Sequence, residues 1–352
     1  MSDVRGWVNA HTHLYSALAP FGMPAPEPEP ENFVQILERV WWRLDRAIDE
    51  ESLRVGVRYY VAEALLAGTT ALVDHHESPN FIEGSLDVIA DACEEMGIRA
   101  VLCYGATERN GGRDEAKRGL AECARFIRAN DRDLVCGVVG LHASFTVSDD
   151  TIREAGALCR ELDTVGHVHV SEDGADNDDA VERGYRSPLD RLATLGALPA
   201  GSICAHGVHY DDADIDLANE LAVWTVQNPR SNHGNRVGYP TRIRGCLRVG
   251  IGTDGYPSIR EEERRMLIDQ SLKQGDSPAA VMRLENGREM IRRWFDVGEE
   301  DRVARADGRV RDVDVAGRAI VRDGRLIGCD LATLRADAER SAVTLWERMR
   351  SL

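Results

Sequence analysis

Lysine is nearly absent. Among 43 basic residues only Lys117 and Lys273 are lysines; the rest are arginines. Positive charge is short altogether, because 60 acidic residues leave a formal net charge of −17. That balance excludes nucleic acid or an anionic membrane surface as the main partner, since a phosphate backbone needs a basic footprint. Long apolar runs are missing too, and none approaches the ~18–20 residues of a membrane span. The start, Met-Ser-Asp-Val-Arg-Gly, leads to a His-rich segment and not to an apolar signal core, so a cytoplasmic location is expected. None of the eight cysteines forms a C-x-x-C pair, which argues against a cysteine zinc site and for buried free thiols. With 43% hydrophobic and 29% charged residues, the 352-residue chain is ordinary globular material. It suits two average domains or one (β/α)8 barrel with additions.

Short apolar runs rich in β-branched residues recur between amphipathic stretches. Strands are predicted at Trp7–His11, Thr70–Asp74, Arg99–Tyr104, Val135–Leu141, His167–Val170, Ile203–His206, Val223–Val226 and Val249–Thr253. Helices are predicted at Phe33–Ile48, Leu53–Ala67, Ser85–Met96, Glu115–Ala129, Asp149–Leu162 and Asp179–Leu195, with a last one at Ala279–Phe295. Eight alternating units predict a closed parallel (β/α)8 barrel. Ser148-Asp149-Asp150 and Asp211-Asp212 carry side-chain oxygens suited to capping helix starts. Pro24–Pro30 cannot be helix or inner strand, because proline fixes φ and lacks the N–H. Arg309–Val321 followed by Asp323-Gly324 reads as a β-hairpin. The expected division is a barrel over 1–300, a hairpin over 301–330 and a C-terminal helix over 331–352 packing on the barrel.

His11-Thr12-His13 ends the first predicted strand. Residues i and i+2 of a strand share a face, so both imidazoles can reach one ion. The bland reading is two polar residues at a barrel rim. Three further strand ends weigh against it: His167-Val168-His169-Val170-Ser171-Glu172, Ala205-His206 and Gly252-Thr253-Asp254-Gly255. Barrel enzymes put their chemistry at that end of the strands. Three imidazoles and one carboxylate suit one divalent metal with a position left for water, zinc first and ferrous iron as the alternative.

These motifs, H-T-H-L-Y, H-V-S-E, A-H-G-V-H, N-P-R-S-N and G-T-D-G in this order, resemble the amidohydrolase superfamily. They fit its cytosine/guanine deaminase and triazine-hydrolase branch. Trp41-Trp42-Arg43-Leu44-Asp45-Arg46, Val73-Asp74-His75-His76, the run His142–Thr146 and Val237-Gly238-Tyr239 look closer still to SsnA-type aminohydrolases. The resemblance implies His11, His13, His169 and Asp254 as metal ligands, Glu172 as the proton-shuttling acid and His206 as the group that orients the water. Asp254 would also accept the water's proton, making Glu172, His206 and Asp254 the catalytic set. Binuclear relatives bridge two metals with a carboxylated lysine on the fourth strand, and Leu134–Ser144 contains none. One metal is therefore expected.

Other candidates are weaker. His142 ends the fourth predicted strand and is expected at the substrate. Asn228 and Asn232 flank Pro229 and either read a heterocycle or hold the turn. Trp41 and Trp42 are adjacent and expected on different helix faces, with Trp42 the one that stacks on substrate. His75 and His76 line the pocket, cap or serve behind it, and His167 is expected as a packed core histidine, with a place behind the ligands as its alternative. His209 and His233 carry no assigned role.

Only ten residues precede His11, fewer than in relatives, which is compatible with a native short start or a truncated one. The β-sandwich that relatives build around the barrel is thus expected to be reduced to a hairpin. The flank it covers is then expected to be open or to form a homodimer. The leading reading is deamination of a small nitrogen heterocycle of purine, pterin, pyrimidine or triazine type by metal-activated water. The alternative is hydrolysis of a cyclic C–N bond or a formimino group, and a third is a catalytically silent paralogue acting as a scaffold.

Overall fold

The computed structural model describes residues 2–256, 260–276, 280, 282–298 and 300–352. Strand β1 (Ser2–Arg5) precedes the barrel. The barrel strands are β2 (Trp7–Thr12), β3 (Thr69–His76), β4 (Arg99–Ala106), β5 (Val135–Gly137), β6 (Val139–Ala143), β7 (Gly166–Val170), β8 (Ile203–His206), β9 (Trp224–Gln227) and β10 (Val249–Ile251). After them come β11 (Arg302–Ala306), β12 (Arg309–Val315), β13 (Arg318–Arg322) and β14 (Arg325–Leu326).

β2 to β10 pair in parallel, with β5 and β6 sharing one barrel position beside β4. The ring closes where β10 returns to β2. His11 O there accepts from the N–H groups of Thr253 and Asp254, both at 3.1 Å. The result is the (β/α)8 barrel, and β3, β4 and β7 are buried from end to end, as strands of a sheet covered by helices are. Ser148 and Asp211 cap helices Asp149–Glu161 and Asp212–Glu220 by accepting from the backbone N–H three residues on. No described helix is long and apolar enough to cross a membrane.

Gly252 sits at this closure. A Cβ there would lie 2.4 Å from Asn228 Oδ1 and 2.5 Å from His11 O. Gly252→Ala is therefore expected to destabilise the fold by about 1–3 kcal/mol, the usual cost of overpacking. A melting curve checks it, and an unchanged midpoint would contradict the tight closure.

The differences from expectation have local causes. Asp179–Leu195 is two helices, Gly174–Glu182 and Pro188–Thr194, because Gly184 takes φ +90 and Ser187-Pro188 starts a new cap. Phe33–Ile48 contains a π turn at Leu37–Trp41 between two α segments. The last barrel helix is Arg283–Ile291; positions 279 and 281 of the expected span lie outside the described residues.

The expected hairpin is part of a larger antiparallel sheet, ordered β1-β11-β12-β13-β14. Its three tight turns are Asp307-Gly308, Ala316-Gly317 and Asp323-Gly324, all with positive φ at both residues. That is the handedness two-residue hairpins need. Val303, Val313, Val315 and Val321 are fully buried in the same core as β2–β4, so the flank expected to be open is covered from within the chain. The C-terminal helix Leu331–Ser351 packs on helix Glu50–Leu66, and Trp346 Nε1 donates to Phe21 O at 2.7 Å.

Candidate active site at the carboxyl ends of the strands

The C-terminal ends of β2, β7 and the segment after β10 bring His11, His13, His169 and Asp254 together. One ligand atom from each lies within 4.8 Å of all the others. The atoms behind them fix their protonation. His13 Nδ1 donates to His75 O at 2.5 Å, and His169 Nδ1 donates to His142 O at 2.6 Å. A carbonyl can only accept, so both rings carry a proton on Nδ1 and turn Nε2 towards the cluster. Those two Nε2 atoms are 3.1 Å apart. Asp254 Oδ1 lies 2.9 Å from His13 Nε2 and 3.3 Å from His11 Nε2. His11 Nδ1 is held by His167 Nε2 at 2.9 Å, and His11 Nε2 has no hydrogen-bond partner among the described residues.

Three imidazole nitrogens and one carboxylate oxygen thus converge on one point. Burial opposes a charge on His13, yet Glu77 and Asp254 outweigh it and raise its pKa. Burial pushes His11 down to about 3 and His169 well below the ordinary value, the neutral form a metal needs. The donor set fits one divalent cation, and these four side chains would hold it.

Glu172 and His206 face each other beside this cluster, with Glu172 Oε2 at 3.4 Å from His206 Nε2. His206 Nδ1 donates to Asn232 Oδ1 at 2.9 Å, which leaves Nε2 free to accept. Burial lifts the Glu172 carboxyl to about 7, against the pull of His206, while Asn235 Nδ2 donates to Oε1 at 3.3 Å. Ser171, His206 and Asp254 all have left-handed backbones, with φ of +51, +80 and +56. Such strain in non-glycine residues collects at functional sites. Here it turns three strand ends inward.

A cavity opens over the cluster, walled by Trp41, Trp42, His142, Phe145, Glu172 and Asp254 among others. His142 is at this wall, with its ring 6.2 Å from Trp42. Trp42 borders it too, while Arg109 packs on its ring at 4.8 Å. Trp41 borders the same cavity, against the expectation of opposite faces; the π turn that ends at Trp41 redirects the pair. Asn228 is not on the wall. It is fully buried beside His206, its Nδ2 3.4 Å from Nδ1 of that ring, because Pro229 opens a helix that carries Asn232 and Ser231 to the site instead. His167 is no idle core residue, since it supports His11.

Glu77 is a residue the sequence reading missed. Strand β3 runs two residues further than predicted, so Glu77 follows His75 by the two-residue step that keeps a strand face. Its Oε1 meets His75 Nδ1 at 2.7 Å and its Oε2 lies 3.4 Å from His13 Nδ1. Burial raises its pKa, but His75 and His13 more than reverse this and hold the carboxyl well below the usual range. Carboxylates behind metal-binding histidines sharpen the ligand. Glu77→Gln is expected to weaken metal affinity by about 10–100-fold. Competition against a chelator of known affinity measures it, and unchanged affinity would remove Glu77 from this role.

The chain is similar to several characterised proteins. A 5-methylthioadenosine/S-adenosylhomocysteine deaminase of Desulforudis audaxviator is 28% identical over 97% of this chain and 86% of its own length. One from Halothermothrix orenii is 31% identical over 78% of this chain, and one from Thermoanaerobacter pseudethanolicus is 29% identical over 72%. The chain spans 62% and 57% of the length of these last two. In fold it resembles an adenosine deaminase of Xanthomonas campestris with bound zinc, with a TM-score of 0.80, 24% identity, and coverage of 99% of this chain and 86% of that one. It also resembles atrazine chlorohydrolase of Arthrobacter aurescens complexed with zinc, with a TM-score of 0.78, 18% identity, and coverage of 97% and 88%. Residues 5–294 match the amidohydrolase family profile, and the chain belongs to that family.

Proposed function

We propose that this protein is a metal-dependent hydrolase that deaminates a small planar nitrogen heterocycle. One observation carries the reading: a cluster of four metal-type ligands and a buried Glu–His pair lie side by side, with His13, His169, Asp254 and Glu172 bordering one cavity. The deaminase names of its relatives support it. Zinc is the metal we place at His11, His13, His169 and Asp254, with ferrous iron as the alternative. A divalent cation held there supplies a water whose pKa falls towards about 7. Asp254, which faces the same space, accepts that water's proton. His206, with Nδ1–H engaged by Asn232, uses Nε2 to orient the attacking oxygen. Glu172, lifted to about 7, can hold a proton at neutral pH. It would deliver that proton to the ring nitrogen, and the proton that Asp254 takes from the water would then pass to the departing amine, which leaves as ammonia. All eight cysteines are free, which supports a reducing, cytoplasmic setting.

The test is ammonia release from a panel of purines, pterins, pyrimidines and triazines by zinc-loaded protein. Ammonia from at least one ring is expected. Ring opening without ammonia would replace this reading.

A further inference from the structure

Resting on that reading, we infer that the pocket takes a neutral or cationic heterocycle and rejects one bearing a phosphate or carboxylate. Two independent features of the wall point there. The first is its charge. Five acidic side chains, Glu77, Glu172, Asp173, Asp176 and Asp254, border the cavity, of which burial lifts Glu172 and Asp176 to about 7, and among the described residues no lysine or arginine does. Two guanidinium groups pack behind the wall and not on it: Arg109, whose Nη2 donates to Asp45 Oδ2 at 2.8 Å beneath the Trp42 ring, and Arg230, over the Tyr256 ring at 3.8 Å. The one cation the pocket is built for is already faced by Asp254. An entering anion would lose its water without gaining a charged donor, and buried charge without a partner is costly.

The second feature is what the wall offers instead. Phe33, Trp41, Trp42 and Phe145 supply apolar and aromatic surface that suits a planar ring. Glu77, 2% exposed and held by His75 and His13, adds a carboxylate that repels an oxyanion. Specificity here comes from repulsion as much as attraction.

Matched pairs decide it on the full-length zinc-loaded protein: adenosine against its 5′-phosphate, and a pterin against its 6-carboxylate. Equilibrium dialysis reads affinity and ammonia release reads turnover. Like charges brought together cost several kcal/mol, so the neutral member should bind at least about 100-fold tighter. Equal or tighter binding of the anionic members overturns the inference, as does no binding by any member. Binding of neutral members without ammonia leaves charge selection standing and sinks deamination. Ammonia released equally from both members does the reverse.

Discussion

Glu172→Gln is expected to lower kcat by about 100- to 10,000-fold, the usual worth of a positioned acid–base group. The amide keeps the size of the side chain and can still meet Asn235, but it cannot carry a proton between ring and amine. Metal content should stay at the wild-type level, because Glu172 is not one of the four converging acceptors. The two readouts together make the experiment sharp. Lost turnover with retained metal is the expected pair, and near-normal turnover would contradict the shuttle. Loss of metal along with activity would place Glu172 among the ligands.

Asp254→Ala should abolish both properties. It removes the one carboxylate among the four acceptors and leaves three neutral imidazoles. The loss of metal affinity should exceed the roughly 10–100-fold that follows removal of a supporting outer partner. Activity should fall to background. The backbone need not fail: Asp254 O accepts from His13 N at 3.2 Å and Thr12 Oγ1 at 2.8 Å, bonds that any side chain permits. Asp254→Asn tolerates the positive φ better and serves as the control for folding. Metal analysis after dialysis, with circular dichroism alongside, separates ligand loss from unfolding. Full metal occupancy in the alanine variant would exclude Asp254 as a ligand.

Much of this site is readable from sequence because barrel strands are short and periodic. A strand end that carries His11 and His13 two residues apart already places both on one face. The ends at His169, His206 and Asp254 declare themselves the same way. The scarcity of lysine is equally informative, since Lys117 and Lys273 lie on the helices Gly112–Ala129 and Arg260–Gln274. What escapes is whatever depends on three-dimensional neighbours. Glu77 looks like one more acidic residue until β3 is seen to run on to His76. Asn228 and Asn232 look equivalent on either side of Pro229, yet only the turn of the helix sends Asn232 to His206 with the shorter bond. Strand β1 is four residues long and has no signal of its own; it exists because β11 offers an edge. Ala316-Gly317, inside the span Arg309–Val321, is a weaker turn signal than Asp-Gly, and it divides that span into β12 and β13.

The acceptors that set the tautomers of His13 and His169 are main-chain oxygens, those of His75 and His142. Every genetically encoded residue at positions 75 and 142 retains that oxygen. A scan of substitutions would therefore report only what the imidazoles at these positions do and would stay blind to the carbonyls. Two of the contacts that prepare the centre are thus protected from point mutation. They are lost only when a strand shifts its register, so tolerance at 75 or 142 would be no sign of irrelevance.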